Sequence, residues 1–209
     1  MKLISIAPKI FNSLALIRES PVAMIGAVIC GFWLFIAVFA SVLAPYDPVS
    51  TLMPMQKPMT ENPAGGMFWL GTDLLGRDIL SRIIYGTQTV LIYAPLATFS
   101  AYLVGIVMGL VGGYYGGKVD TSLSFISNVI LSFPVLVLYI LIIATIGASG
   151  VNIILAVTFA SAPGIFRIVR GLTMDLRNRE YVSAAQTRGE SALWVMFVEI
   201  LPNARGPLI

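Results

Sequence analysis

The chain has 209 residues, of which 57% are hydrophobic and 11% charged, with a formal net charge of +3 and no histidine. Soluble domains carry about 25% charged residues, so this composition, with a mean hydropathy of +0.89, belongs to the membrane class. The lack of histidine excludes imidazole bases and histidine metal sites, the single Cys30 excludes an intramolecular disulfide, and no dense basic patch points to nucleic acid.

Residues 1–21 form a polar to mildly amphipathic segment with Lys2, Lys9, Arg18 and Glu19. No charge falls between Glu19 and Asp47, and residues 22–44 are the expected first span, long enough for a bilayer-crossing helix of about 20 residues. The run exceeds the roughly 7–15 apolar residues of a signal-peptide core, so a retained helix is expected. Residues 45–85 form an expected loop rich in proline, with Met53, Met55, Met59 and Met67. Methionines are soft copper ligands. Their irregular spacing, with no histidine or cysteine in the loop, reads instead as packing. The loop closes on Leu70–Arg82, LGTDLLGRDILSR. There Thr72 or Asp73 suits a helix N-cap, and Ile79, Leu80, Ile83 and Ile84 suit one face of an amphipathic helix.

Spans two to four are expected within residues 86–166. Thr89 to Gly113 is apolar, and Gly105, Gly109, Gly113 and Gly117 recur every fourth residue as a ridge for close helix approach. Gly112–Lys118 matches the start of a phosphate-binding loop. However, Val119 replaces its Ser or Thr and the segment ends an apolar helix, so nucleotide binding by this chain is rejected. The 46 residues between Asp120 and Arg167 carry no charge, enough for two spans near 122–146 and 151–166. Pro134 and Pro163 predict kinks there.

Within residues 167–209 lies the most polar long segment, Glu180 to Pro202. Glu180 to Arg188, with small residues Ser183, Ala184 and Ala185, predicts a short smooth-faced helix, and Gly189 predicts a positive-φ turn. Leu193, Trp194, Phe197, Ile200 and Leu201 then predict one apolar stripe of a helix that Pro202 stops or kinks. Placing the N-terminus in the cytoplasm puts 10 of the 13 Lys and Arg residues inside and leaves Lys57, Arg77 and Arg82 outside, as the positive-inside rule requires.

The segment Glu180–Pro202 resembles the EAA loop of permease subunits in ATP-binding-cassette importers. That pattern runs Glu-Ala-Ala, three residues, Gly, nine residues, Ile-x-Leu-Pro. Ala184, Ala185, Gly189, Leu201 and Pro202 fall in register, while Ser183 stands in the Glu position and Glu199 in the Ile position. LGTDLLGRDILSR and the GYYGGKVD of residues 113–120 resemble the dipeptide, oligopeptide and nickel branch.

The resemblance implies an all-α polytopic membrane helical bundle with four transmembrane helices present of an expected six. A cytoplasmic helix-turn-helix coupling loop would occupy residues 167–209, and the chain would end before spans five and six. The implied function is that of a non-enzymatic permease subunit of the bacterial inner membrane, for di- or oligopeptides. No cofactor is expected in this chain, since ATP and magnesium would reside on partners. The implied partners are the lipid bilayer, a homologous permease, two ATPase subunits, a periplasmic binding protein and the peptide substrate. Coupling would fall to Glu180, Ser183, Ala184, Ala185, Arg188, Gly189, Leu201 and Pro202. The alternative is a secondary transporter or channel component. Such proteins place ionisable residues within their spans, and the expected spans contain none.

Overall fold

A computed structural model describes residues 20–63 and 65–204. The expected N-terminal segment 1–21 lies almost wholly outside the described residues, as do residues 205–209. The chain divides into two compact units, residues 1–92 and 93–209.

In the first unit, helix α1 (Pro21–Val38) starts where Ser20 Oγ accepts the Ala23 N–H and Pro21 takes the first helical position. It breaks earlier than the expected residue 44. Gln88 Nε2 donates to the Ala37 carbonyl at 2.8 Å beside the break, and a short helix α2 (Ala40–Leu43) follows.

The loop that follows is ordered by polar contacts. Strands β1 (Thr60–Glu61) and β2 (Met67–Phe68) pair antiparallel, Thr60 opposite Phe68, a small exception to the all-helical expectation. Main-chain bonds from Leu52 to Gly76, Met55 to Asp73 and Thr72 to Gln56 tie the proline-rich stretch to the following turn. Neither Thr72 nor Asp73 caps a helix there. Asp73 instead closes the turn, its Oδ1 accepting the N–H groups of Leu75 and Arg77 at 2.9 Å while Oδ2 meets Arg77 and Arg82. Thr72 Oγ1 donates to Met53 O and accepts from Gln56 N. The cap is Asp78, whose Oδ2 accepts the Ser81 N–H at 2.7 Å.

The expected separate amphipathic helix is the first part of α3 (Ile79–Tyr115), a continuous helix of 37 residues that also contains Pro95. Of the expected apolar face Ile84 is buried, Ile79 and Leu80 are half-buried and Ile83 is exposed, while the polar Asp78, Ser81 and Thr87 are buried beside them. The reason is local: Ser81 Oγ accepts the Tyr46 N–H at 3.0 Å, so polar side chains turn inward to hold the loop. Apolar side chains are free to point outward where hydrocarbon surrounds them.

In the second unit α3 packs against α6 (Gly150–Leu176). A Cβ added at Gly105, Gly109 or Gly113 would come within 2.6, 2.5 and 2.6 Å of the Cβ atoms of Ile165, Val169 and Thr173. The two four-residue ladders interlock, as the glycine spacing predicts. Gly117 is not part of that ridge: it lies past the end of α3, at φ 54°, with open space around its Cβ position.

The span expected over 122–146 is two helices, α4 (Gly117–Leu131) and α5 (Val135–Ile146), bent by 89° at Pro134. Proline cannot donate the next helical bond and disfavours helical geometry just before itself, so a predicted kink becomes a corner. Pro163, by contrast, sits inside a continuous α6, which runs ten residues beyond the expected end at 166. Among the described residues three helices are long and apolar enough to cross a membrane, or four if the bent pair counts as one.

Candidate functional site

The polar segment forms two helices on a shared apolar base. Helix α7 (Glu180–Thr187) is followed by α8 (Ala192–Asn203), whose middle, Val195–Ile200, is a π-helical turn. The link is Gly189 at φ 83°. There the Gly189 N–H reaches Gln186 O at 2.9 Å and the Glu190 N–H reaches Ala185 O at 3.2 Å. These paired bonds satisfy the last carbonyls of α7 and require the left-handed conformation that glycine adopts without penalty. Ser191 Oγ accepts the Trp194 N–H and starts α8.

Val182, Ala185, Val195, Met196 and Ile200 are essentially fully buried against Leu110 of α3 and Val169 of α6. Each large side chain so buried contributes about 1.5–3 kcal/mol, which fixes the hairpin to the spans as one body. Sequence placed this stripe differently. Of the expected residues Ile200 is buried and Trp194 and Leu201 pack against the base, but Leu193 and Phe197 are 65% and 43% exposed, and Val195, Met196 and Ala204 are buried in addition. The π-helical turn adds a residue per turn and moves the inward face, which a 3.6-residue period misses. The helix ends at Asn203, one residue past Pro202.

The expected coupling residues separate by burial into three sets. Glu180, Ser183, Ala184, Arg188 and Gly189 are exposed, Leu201 and Pro202 are half-buried, and Ala185 is fully buried. The two alanines therefore do not share a surface, because neighbouring residues on a helix point about 100° apart. Only Ala184 belongs to the outer face. Arg188 pairs with Glu199 at 3.5 Å and lies 4.0 Å from Glu190. The buried Tyr181 hydroxyl has no hydrogen-bond partner among the described residues, and burial pushes this phenol up from its ordinary value of 10.0.

Arginines on α6 and just beyond it, which the motif reading passed over, anchor this base. Arg170 grips both Asp120 oxygens, with Nη2 to Oδ2 at 2.6 Å. Arg167 Nη2 donates to Asn128 Oδ1 at 2.7 Å. Arg177 Nη1 donates to the Gly113 and Tyr114 carbonyls, at 3.0 and 3.2 Å, and so caps the end of α3. Their offsets of three and seven along one helical direction were the legible signal.

Residues 101–209 match the family model described as the binding-protein-dependent transport system inner membrane component, and residues 15–62 match the N-terminal transmembrane domain of oligopeptide transport permease C. The chain belongs to this family of inner-membrane transport components. Relatives include a dipeptide transport system permease protein of Haemophilus influenzae, 36% identical over 92% of this chain and 66% of the relative. An oligopeptide transport system permease protein of Bacillus subtilis is 32% identical over 92% of this chain and 62% of the relative. A glutathione transport system permease protein of Pectobacterium atrosepticum is 33% identical over 83% and 57%. The chain thus spans less than two thirds of the length of these relatives. As a member of the family it is a polytopic helical protein of the membrane, and its relatives are named as transport permeases rather than enzymes.

Proposed function

We propose that this chain acts as a permease subunit of an ATP-driven importer of di- or oligopeptides, passing the work of separate ATPase subunits to its own spans through the α7–Gly189–α8 hairpin. The supporting observation is the division of that hairpin into an inner face locked to α3 and α6 and an outer face of Ser183, Ala184, Thr187 and Arg188 left exposed. A rigid body with one small-residue face suits a helix seated in a partner's groove. Movement imposed there is carried to α3 and α6 without loss, since close-packed interiors transmit displacement.

The 10-to-3 distribution of basic residues supports an N-terminus and hairpin on the cytoplasmic side, where ATPases reside. In this reading a homologous permease, two ATPase chains and a periplasmic binding protein complete the importer, and ATP and magnesium stay with the ATPases. Peptide as the substrate class is carried over from the names of the relatives.

Co-purification in detergent with the ATPase subunits of the importer tests the reading. Ala184→Trp places bulk on the outer face only and is expected to abolish recovery of the ATPases, whereas the original chain retains them. Failure of the original chain, alone and with its permease partner, to recruit any ATPase would contradict it.

A further inference from the structure

Beside α7 lies an open recess of about 480 Å³ lined by Tyr114, Arg177, Asn178, Ser183 and Gln186. Its wall is mainly polar and carries one formal charge, the Arg177 guanidinium. Arg170, Arg179 and Arg188 each have a carboxylate within ion-pair distance; Arg177 has none among the described residues. One of its nitrogens, Nη1, is engaged with the carbonyls that end α3. Asp120, whose carboxylate lies within electrostatic reach of Arg177, is held by Arg170 with both oxygens. Asp175 is held by Arg179 at 3.1 Å, and Glu180 is exposed and does not line the recess.

Around that cation stand the Ser183 hydroxyl and the side-chain amides of Asn178 and Gln186, the latter fixed by donating to Tyr114 Oη at 3.2 Å. A half-buried cation surrounded by hydrogen-bonding side chains and lacking an acid of its own is complementary to a carboxylate. Ser183, which lines the recess, is also the position where the EAA pattern carries glutamate, and no acid lines the recess among the described residues.

We propose that the recess receives an aspartate or glutamate side chain of the ATPase partner, with Arg177 as its counter-ion and Ser183 and Gln186 as flanking hydrogen-bond partners. The proposal rests on the docking role of the hairpin and adds the polarity of the contact: cation on the permease, acid on the ATPase.

The test measures ATPase affinity in detergent for the original chain, Arg177→Gln and Ser183→Glu, with thermal stability recorded for each. Ser183→Glu leaves every existing hydrogen bond of Arg177 in place and supplies an internal acid. Both variants are expected to weaken ATPase binding about tenfold and to flatten its salt dependence. Replacing acidic ATPase surface residues one at a time by Lys is expected to reveal one position with the same loss and no further loss when combined with Arg177→Gln. Unchanged or tighter binding by Ser183→Glu at unchanged stability would overturn the proposal, as would a loss with Arg177→Gln that no acidic ATPase position reproduces. Failure of the original chain to bind any ATPase would instead overturn the docking role itself.

Discussion

Gly109 faces Val169 so closely that a Cβ added to the glycine would stand 2.5 Å from the Cβ of the valine. Val169 in turn packs against the base of the α7–α8 hairpin. One backbone approach therefore sets both the spacing of α3 and α6 and the platform on which the hairpin rests.

Gly109→Val is expected to destabilise the chain by on the order of 1–3 kcal/mol, because neither backbone can retreat from the added side chain. Gly171→Ala is the control, with nothing within 4 Å of its Cβ position, and is expected to be neutral or to raise the melting temperature slightly. Thermal unfolding in detergent distinguishes them. Equal stability of the two variants would remove the interlocked ridge from the account.

At Gly189 the cost is conformational. Its Cβ position is open, but φ is 83°. Gly189→Val is expected to cost roughly 1–2 kcal/mol locally, and Gly189→Asn distinctly less, since asparagine tolerates this conformation. In the assembled importer the valine variant is expected to hydrolyse ATP with reduced peptide uptake per ATP and normal membrane insertion. The uptake-to-hydrolysis ratio in vesicles reads this directly, and an unchanged ratio would show that the turn does not transmit force.

The Asp73 carboxyl is held well below its ordinary value of 3.8, first by the Arg77 N–H, then by the Arg77 guanidinium and the Leu75 N–H, with burial opposing them. A lowered folded-state pKa gives stability that is fully present above the unfolded value and lost as pH falls through the folded one. Asp73→Asn is therefore expected to lower the melting temperature at pH 7, and the gap is expected to narrow only below about pH 4. A gap of equal size at pH 3 and pH 7 would assign the effect to shape instead of charge.

Sidedness is open to direct labelling. With Cys30→Ala as background, Glu61→Cys and Gln186→Cys, both at exposed positions, are expected to react with impermeant thiol reagents from opposite faces of the membrane. Reaction from the same face would invert the placement of the hairpin.

Much of this was legible in the residues. The glycine ladder at 105, 109 and 113 and the turn at Gly189 each follow from one property of glycine, so spacing alone located them. Less legible was anything decided by long-range polar contacts. Asp78 rather than Thr72 or Asp73 caps α3 because residues 44–59 come back to bond Ser81 and Thr72, which no local pattern records. Ala185 reads like Ala184 in sequence, and only the packed base beneath α7 makes one inner and the other outer. The π-helical turn likewise kept Ile200 of the expected face inside but replaced Leu193 and Phe197 with Val195 and Met196.

The central claim is that the outer face of α7 meets the ATPase. Its most direct measurement is site-specific cross-linking from a single cysteine at position 184, in the Cys30→Ala background, in membranes holding the complete importer. The account predicts a cross-link to the ATPase whose yield changes when ATP is bound, and none from a cysteine at the exposed position 137 on α5. A cross-link from 137 and not from 184, or none from either with ATPases demonstrably assembled, would contradict it.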